Sequence, residues 1–220
     1  MKGLLLKDFY NLKKNGIFML ITLICFGFFG AMGEMGASFV IMWGLIASMQ
    51  IITTFTFDEA VKWNSFGMTM PVTRKELVGA KFIVHWCMTI FGIGVTLAAT
   101  LLTSVCLQKL TGEMLRELLI TSWLGFWMIL FLGGISVLLL FRFSAERTRL
   151  ITALVFAVPM AICIAVTNIF SSVDTFEMSV GDVSAAMYVV LLAGIPAVVL
   201  VWEFVMYRIS CRVFAKKDLA

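Results

Sequence analysis

An all-helical integral membrane protein with six spanning helices is the fold class the sequence predicts, on three observations. Of the 220 residues, 61% are hydrophobic and only 14% charged, with a mean hydropathy of +1.03. A soluble domain holds about 25% charged residues. The apolar residues fall in blocks of about 20, the length a helix needs to cross a hydrocarbon core of about 30 Å. The basic residues lie almost entirely on one side of those blocks. A soluble fold of this composition would need an unprecedented share of buried helix, and that class is set aside.

Residues 1–15 open the chain as an amphipathic segment. At helical spacing Leu5, Phe9 and Leu12 fall on one side and Lys7, Asn11 and Lys14 on the other, which predicts a helix lying in the membrane interface with its lysines toward anionic head groups. A cleaved signal is disfavoured, because the charged region is long and patterned and no A-x-A site follows. The first span is expected over about Gly16–Gly33, where Gly27, Gly30, Gly33 and Gly36 recur every three residues and let another helix come close. The second span covers about Phe39–Phe57 and the third about Phe82–Leu107. The fourth follows over about Leu118–Phe141, with Gly133–Gly134 as a soft point or close contact. The fifth, about Leu150–Phe170, is interrupted by Pro159, and the sixth, about Ala185–Tyr207, contains Pro196. A proline there needs neighbours that satisfy the freed carbonyl. The chain divides as a single transmembrane domain: 1–15 interfacial, 16–57 spans one and two, 58–81 a polar loop, 82–208 spans three to six, 209–220 a tail.

Six spans put both termini on one side, and charge says which. Fifteen of the seventeen lysines and arginines lie in the N-terminal segment, the 58–81 loop, the link after the fourth span and the tail; only Lys109 and Arg116 lie on the other side. The positive-inside rule makes the first group cytoplasmic. The net charge of +4 is thereby explained as topology, with no nucleic-acid partner implied. Five cysteines, none in a CxxC pair, indicate neither a disulfide framework nor a zinc site.

Little in the spans suggests catalysis. His85 is the only histidine; no HExxH, GxSxG or paired aspartates stand at membrane depth, and no GxxxxGK[ST] loop is present to bind ATP. An intramembrane enzyme using His85 is the rival against which helix packing is weighed. Glu203 is the one carboxylate within a span, a gating or ion-pair candidate by its cost in hydrocarbon, with Arg208 near enough to draw it to the interface. Thr89, Thr96, Thr100 and Thr103 share a face of the third span, and Gln50, Thr53 and Thr54 form a polar strip on the second. Both sets fit either interhelical hydrogen bonding or a mildly polar substrate path.

The stretch 58–81, DEAVKWNSFGMTMPVTRKELVGAK, carries seven charged residues with Trp63, Phe66, Met68 and Met70 among them. Asp58 and Lys62, four apart with the acid first, predict an extension of the second helix. Gly67 and Pro71 break it, and Thr73 with Glu76 has the spacing of a capping box that starts the third. The apolar-and-basic piece between fits a docking surface for a soluble partner, or a loop lying back on the head groups.

With its "-MP-V-RK-" core and the opening Leu5, Lys7, Asp8, Tyr10, this loop resembles that of ABC-2-type transporter permeases, and the resemblance covers the whole chain. It implies a permease subunit of an ATP-binding-cassette exporter, not itself an enzyme, paired with a second permease copy or a paralogue and with a separate cytoplasmic ATPase that binds ATP and Mg. It places ATPase docking on Asp58, Glu59, Lys62, Trp63, Phe66, Met68, Pro71, Arg74 and Lys75, with the N-terminal helix as a second contact, in a bacterial plasma membrane. The short outer segments favour small amphipathic, lipid-like or peptide substrates. An ATP-independent carrier and a membrane accessory or immunity protein are the alternatives.

Overall fold

Four helices of the computed structural model are long and apolar enough to cross a membrane: Ser38–Ala60, Arg74–Cys106, Gly112–Arg142 and Leu192–Ala215. They correspond to the predicted second, third, fourth and sixth spans. The structure describes residues 2–13, 16–17, 19–24, 36–67, 69, 72–108, 111–143, 147, 150–151, 154–155 and 190–216, and no strand occurs among them. The glycines 27, 30 and 33, most of the fifth span with Pro159, and the acidic segment 171–184 lie outside the described residues.

The elements are α1 (Lys2–Lys13), α2 (Gly36–Ala60), α3 (Trp63–Gly67), α4 (Arg74–Cys106), α5 (Gly112–Arg142) and, after a π-helical turn over Val190–Gly194, α6 (Ile195–Ala215). The capping box is formed: the Thr73 backbone N–H donates to Glu76 Oε2 at 2.8 Å and the Glu76 N–H to Thr73 Oγ1 at 3.3 Å. It starts α4 eight residues before the apolar block, giving a helix of 33 residues, about 50 Å at 1.5 Å per residue. Thr111 caps α5 by accepting from the Met114 N–H at 3.2 Å. Pro196 lies within the span Leu192–Ala215, in the first α-helical turn of α6 directly after the π-helical turn Val190–Gly194, so the freed carbonyl falls where the helix changes its bonding pattern. The same helix runs on to Ala215, so Arg208 and Arg212 stand on its last turns rather than in a loose tail.

Helices α2, α4, α5 and α6 pack as a bundle. Its core at one end joins Phe55, Phe82, Phe141 and Phe214, with the Phe55–Phe141 and Phe141–Phe214 rings 4.9 and 5.3 Å apart. Small residues set the closest approach. A Cβ on Gly92 of α4 would lie 2.6 Å from the Ala47 Cβ and 3.3 Å from the Gly44 Cα of α2. The outward faces of α4 and α6 expose Ile90, Phe91, Leu102, Val198, Val201 and Phe204 while the threonines point in, the distribution expected of a bundle solvated by hydrocarbon.

Candidate functional site

Four charges meet where α2 ends and α4 begins. Asp58, in the last turn of α2, accepts from Lys7 of α1 at 2.5 Å through Oδ1 and forms an ion pair with Lys81 of α4 at 2.6 Å through Oδ2. Asp8 of α1 accepts from Lys81 at 2.9 Å and forms an ion pair with Lys7 at 3.2 Å. Both carboxylates and the Lys81 ammonium are almost fully enclosed, with side-chain exposures of 2 to 3%. Lys81 donates as well to Thr54 Oγ1 at 3.2 Å and stands 4.9 Å from the Phe55 ring centroid. Two acids and two bases leave the cluster neutral, the condition under which charges tolerate burial. Its position follows from sequence spacing: Leu5, Asp8 and Leu12 fall on one stripe of α1, and that stripe packs inward.

The cluster supports the short helix α3. The Lys7 ammonium lies over the Trp63 ring, 4.4 Å from its centroid, and Trp63 packs on Phe66 at 5.5 Å. Phe66 is 53% exposed, and Glu59 and Lys62 are exposed beside it. Helix α2 stops at Ala60, two residues short of the expected extension. Lys62 adopts a left-handed φ of 50°, so it does not stack one turn above Asp58. Asp58 is turned into the bundle instead, and Lys7, expected on the polar face of α1, is turned onto it. Met68 and Pro71 lie outside the described residues. Lys75 is exposed, and Arg74 reaches across to the end of α6, donating to the carbonyls of Phe214 at 3.2 Å and Ala215 at 2.6 Å.

At bundle depth the hydroxyls are engaged at home. Thr89, Thr96 and Thr100 are buried and donate to the carbonyls of His85, Gly92 and Thr96, and Thr103 to that of Ala99, all at 2.8 to 3.0 Å. Thr53 donates to Gln50 Oε1 at 3.2 Å and Thr54 to the Ile51 carbonyl at 2.8 Å. His85 is wholly buried, with Ser48 Oγ 3.4 Å from its Nδ1 and its ring against Gly133. Glu203 is buried from the other side of α5. It accepts from Trp86 Nε1 at 3.4 Å and presses Oε1 on Gly134. Arg208 lies over Phe204, 5.6 Å from the ring centroid, rather than against Glu203.

A loop-borne helix seated on a bundle of apolar helices is an arrangement shared by membrane proteins of many kinds, and the sequence comparison narrows it. The model of the ABC-2 family transporter proteins matches residues 3–215. The chain belongs to the ABC-2 family. Neither a curated protein nor a solved structure matches it. As an ABC-2 protein it is a multi-pass membrane component of a transporter, the part of such systems that is generally not itself catalytic and generally works with an ABC ATPase. Lys7, Asp8 and Lys81 are the members of the charge cluster that spacing alone did not connect with Asp58. The available signal was that all four are charged residues at the borders of apolar blocks, two acids and two bases.

Proposed function

We propose that this ABC-2 chain is the permease subunit of an exporter in a bacterial plasma membrane, with six spans, both termini in the cytoplasm and α1 at the interface. A separate ATPase, carrying ATP and Mg, docks on α3 and its borders. Glu59, Lys62, Trp63 and Phe66 supply the contact, continued by Met68 and Pro71 and flanked by Arg74 and Lys75. Asp58 holds the platform from beneath. A second permease copy completes the transporter, and the substrate, small and amphipathic, moves between the copies. The threonines of α4 and the Gln50–Thr54 strip are polar groups available to such a path, and Glu203 is the buried carboxylate at depth among the described residues.

The observation that carries the reading is the seating of α3: its tryptophan is clamped under Lys7 of the charge cluster while Phe66 stands outward. A tether needs no such base. A push on α3 from outside passes directly into α1, α2 and α4. The test is co-purification of a co-expressed ABC ATPase with Phe66→Ala combined with Lys62→Glu, both at exposed positions. The ATPase should be lost while membrane insertion and expression are kept. Wild-type stoichiometry in that variant would sink the docking assignment.

A further inference from the structure

The second polar feature at the same end of the bundle is a cleft of about 650 Å³ between the start of α4 and the end of α6. Four cations line it, Arg74, Lys75, Arg208 and Arg212, and among the described residues no carboxylate does. Glu76, in the first turn of α4, is spent in the capping box, accepting from the Thr73 backbone N–H and hydroxyl at 2.8 Å each. Arg74 is committed as well: its bonds to the Phe214 and Ala215 carbonyls quiet the negative end of α6. Tyr207 donates to the Lys75 carbonyl at 3.5 Å, a second tie across the floor. Lys75, Arg208 and Arg212 remain exposed around a cleft whose walls are fixed by these bonds.

From Arg212 the same face of α6 runs back through Arg208 to Val205, Val201 and Val198, in steps of three and four residues. Those valines are exposed on a helix apolar enough to span a membrane. Cations at one end of an apolar stripe match a ligand that is anionic at its head and apolar along its length. We propose that the α4–α6 cleft binds the phosphate head group of an anionic membrane lipid, with an acyl chain along the α6 stripe. Charge complementarity and the continuity of cleft with stripe favour this occupant over an acidic protein surface, which would use the cleft and leave the stripe idle.

The test is native mass spectrometry of the purified full chain titrated with phosphatidylglycerol, phosphatidylcholine or inorganic phosphate. Phosphatidylglycerol should be retained over phosphatidylcholine, and Arg208→Gln with Arg212→Gln should weaken that retention on the order of tenfold. Arg142→Gln removes a like charge from an exposed position outside the cleft and should leave the preference intact. If the double variant does not fold, Lys75→Gln reads the same cleft from α4. The proposal is overturned if the lipid preference survives in the folded cleft variants, if Arg142→Gln abolishes it equally, or if inorganic phosphate displaces the lipid at equal concentration. If Arg208→Gln with Arg212→Gln keeps the lipid preference and loses the ATPase, the cleft is a protein contact instead; Lys75→Gln does not serve this arm, because Lys75 also flanks the ATPase dock.

Discussion

Lys81 has two carboxylates and a hydroxyl within reach of one buried ammonium, so replacing it separates charge from shape. Lys81→Met keeps the length of the side chain and leaves Asp8 and Asp58 with one partner, Lys7, between them. The expected loss is about 3–5 kcal/mol, the usual cost of stranding a buried charge, read as a lower unfolding midpoint in detergent. Asp58→Asn added to Lys81→Met restores neutrality and should recover part of that loss; no recovery would mean the cluster is not coupled. A second residue-scale prediction concerns packing. A Cβ at Gly133 would lie 2.1 Å from the His85 ring, so Gly133→Ala should destabilise by about 1–3 kcal/mol. Adding His85→Ala removes the obstructing ring and should relieve that cost. Equal instability with and without His85 would refute the contact. Full transport by the double variant would at the same time show that His85 does no chemistry.

At the scale of the element, the sequence made α4 and its start legible because capping is local: Thr73 and Glu76 need only each other, and the structure forms the bond their spacing predicts. The second, third, fourth and sixth apolar blocks were legible for a similar reason, since length and composition suffice. Two things were not. The end of α2 was expected at Lys62, because an acid and a base four apart make a good helical pair in isolation. A stronger tertiary partner, Lys81, takes the acid, and Lys62 is left in a left-handed turn. Nor does spacing within one helix reveal which charges of α1, α2 and α4 meet, since the bonded pair Asp8 and Lys81 is separated by 73 residues. The turn yields a prediction of its own. A lysine at φ 50° carries a strain of about 1 kcal/mol that glycine does not, so Lys62→Gly should leave unfolding unchanged or raise its midpoint. A marked fall would mean the lysine side chain holds the turn.

For the whole molecule, the charge asymmetry that sets topology can be read directly. In a background with its five native cysteines replaced, single cysteines at Lys13, Glu113 and Lys216 report the two faces; all three positions are exposed. Lys13→Cys and Lys216→Cys should react with an impermeant thiol reagent only after the cells are opened, and Glu113→Cys in intact cells. The reverse pattern would invert the topology and take α3 away from any cytoplasmic ATPase. The α2–α4 pair has a mechanical consequence. It is fastened twice, by Asp58 on Lys81 near one end and by Gly44 and Ala47 on Gly92 further in, about 16 Å apart along α4. Two rods riveted at two points cannot swivel against each other; they translate and tilt as one plate. A displacement of α3 is therefore taken up by α2 and α4 together, over the roughly 16 Å that separates the two fastenings.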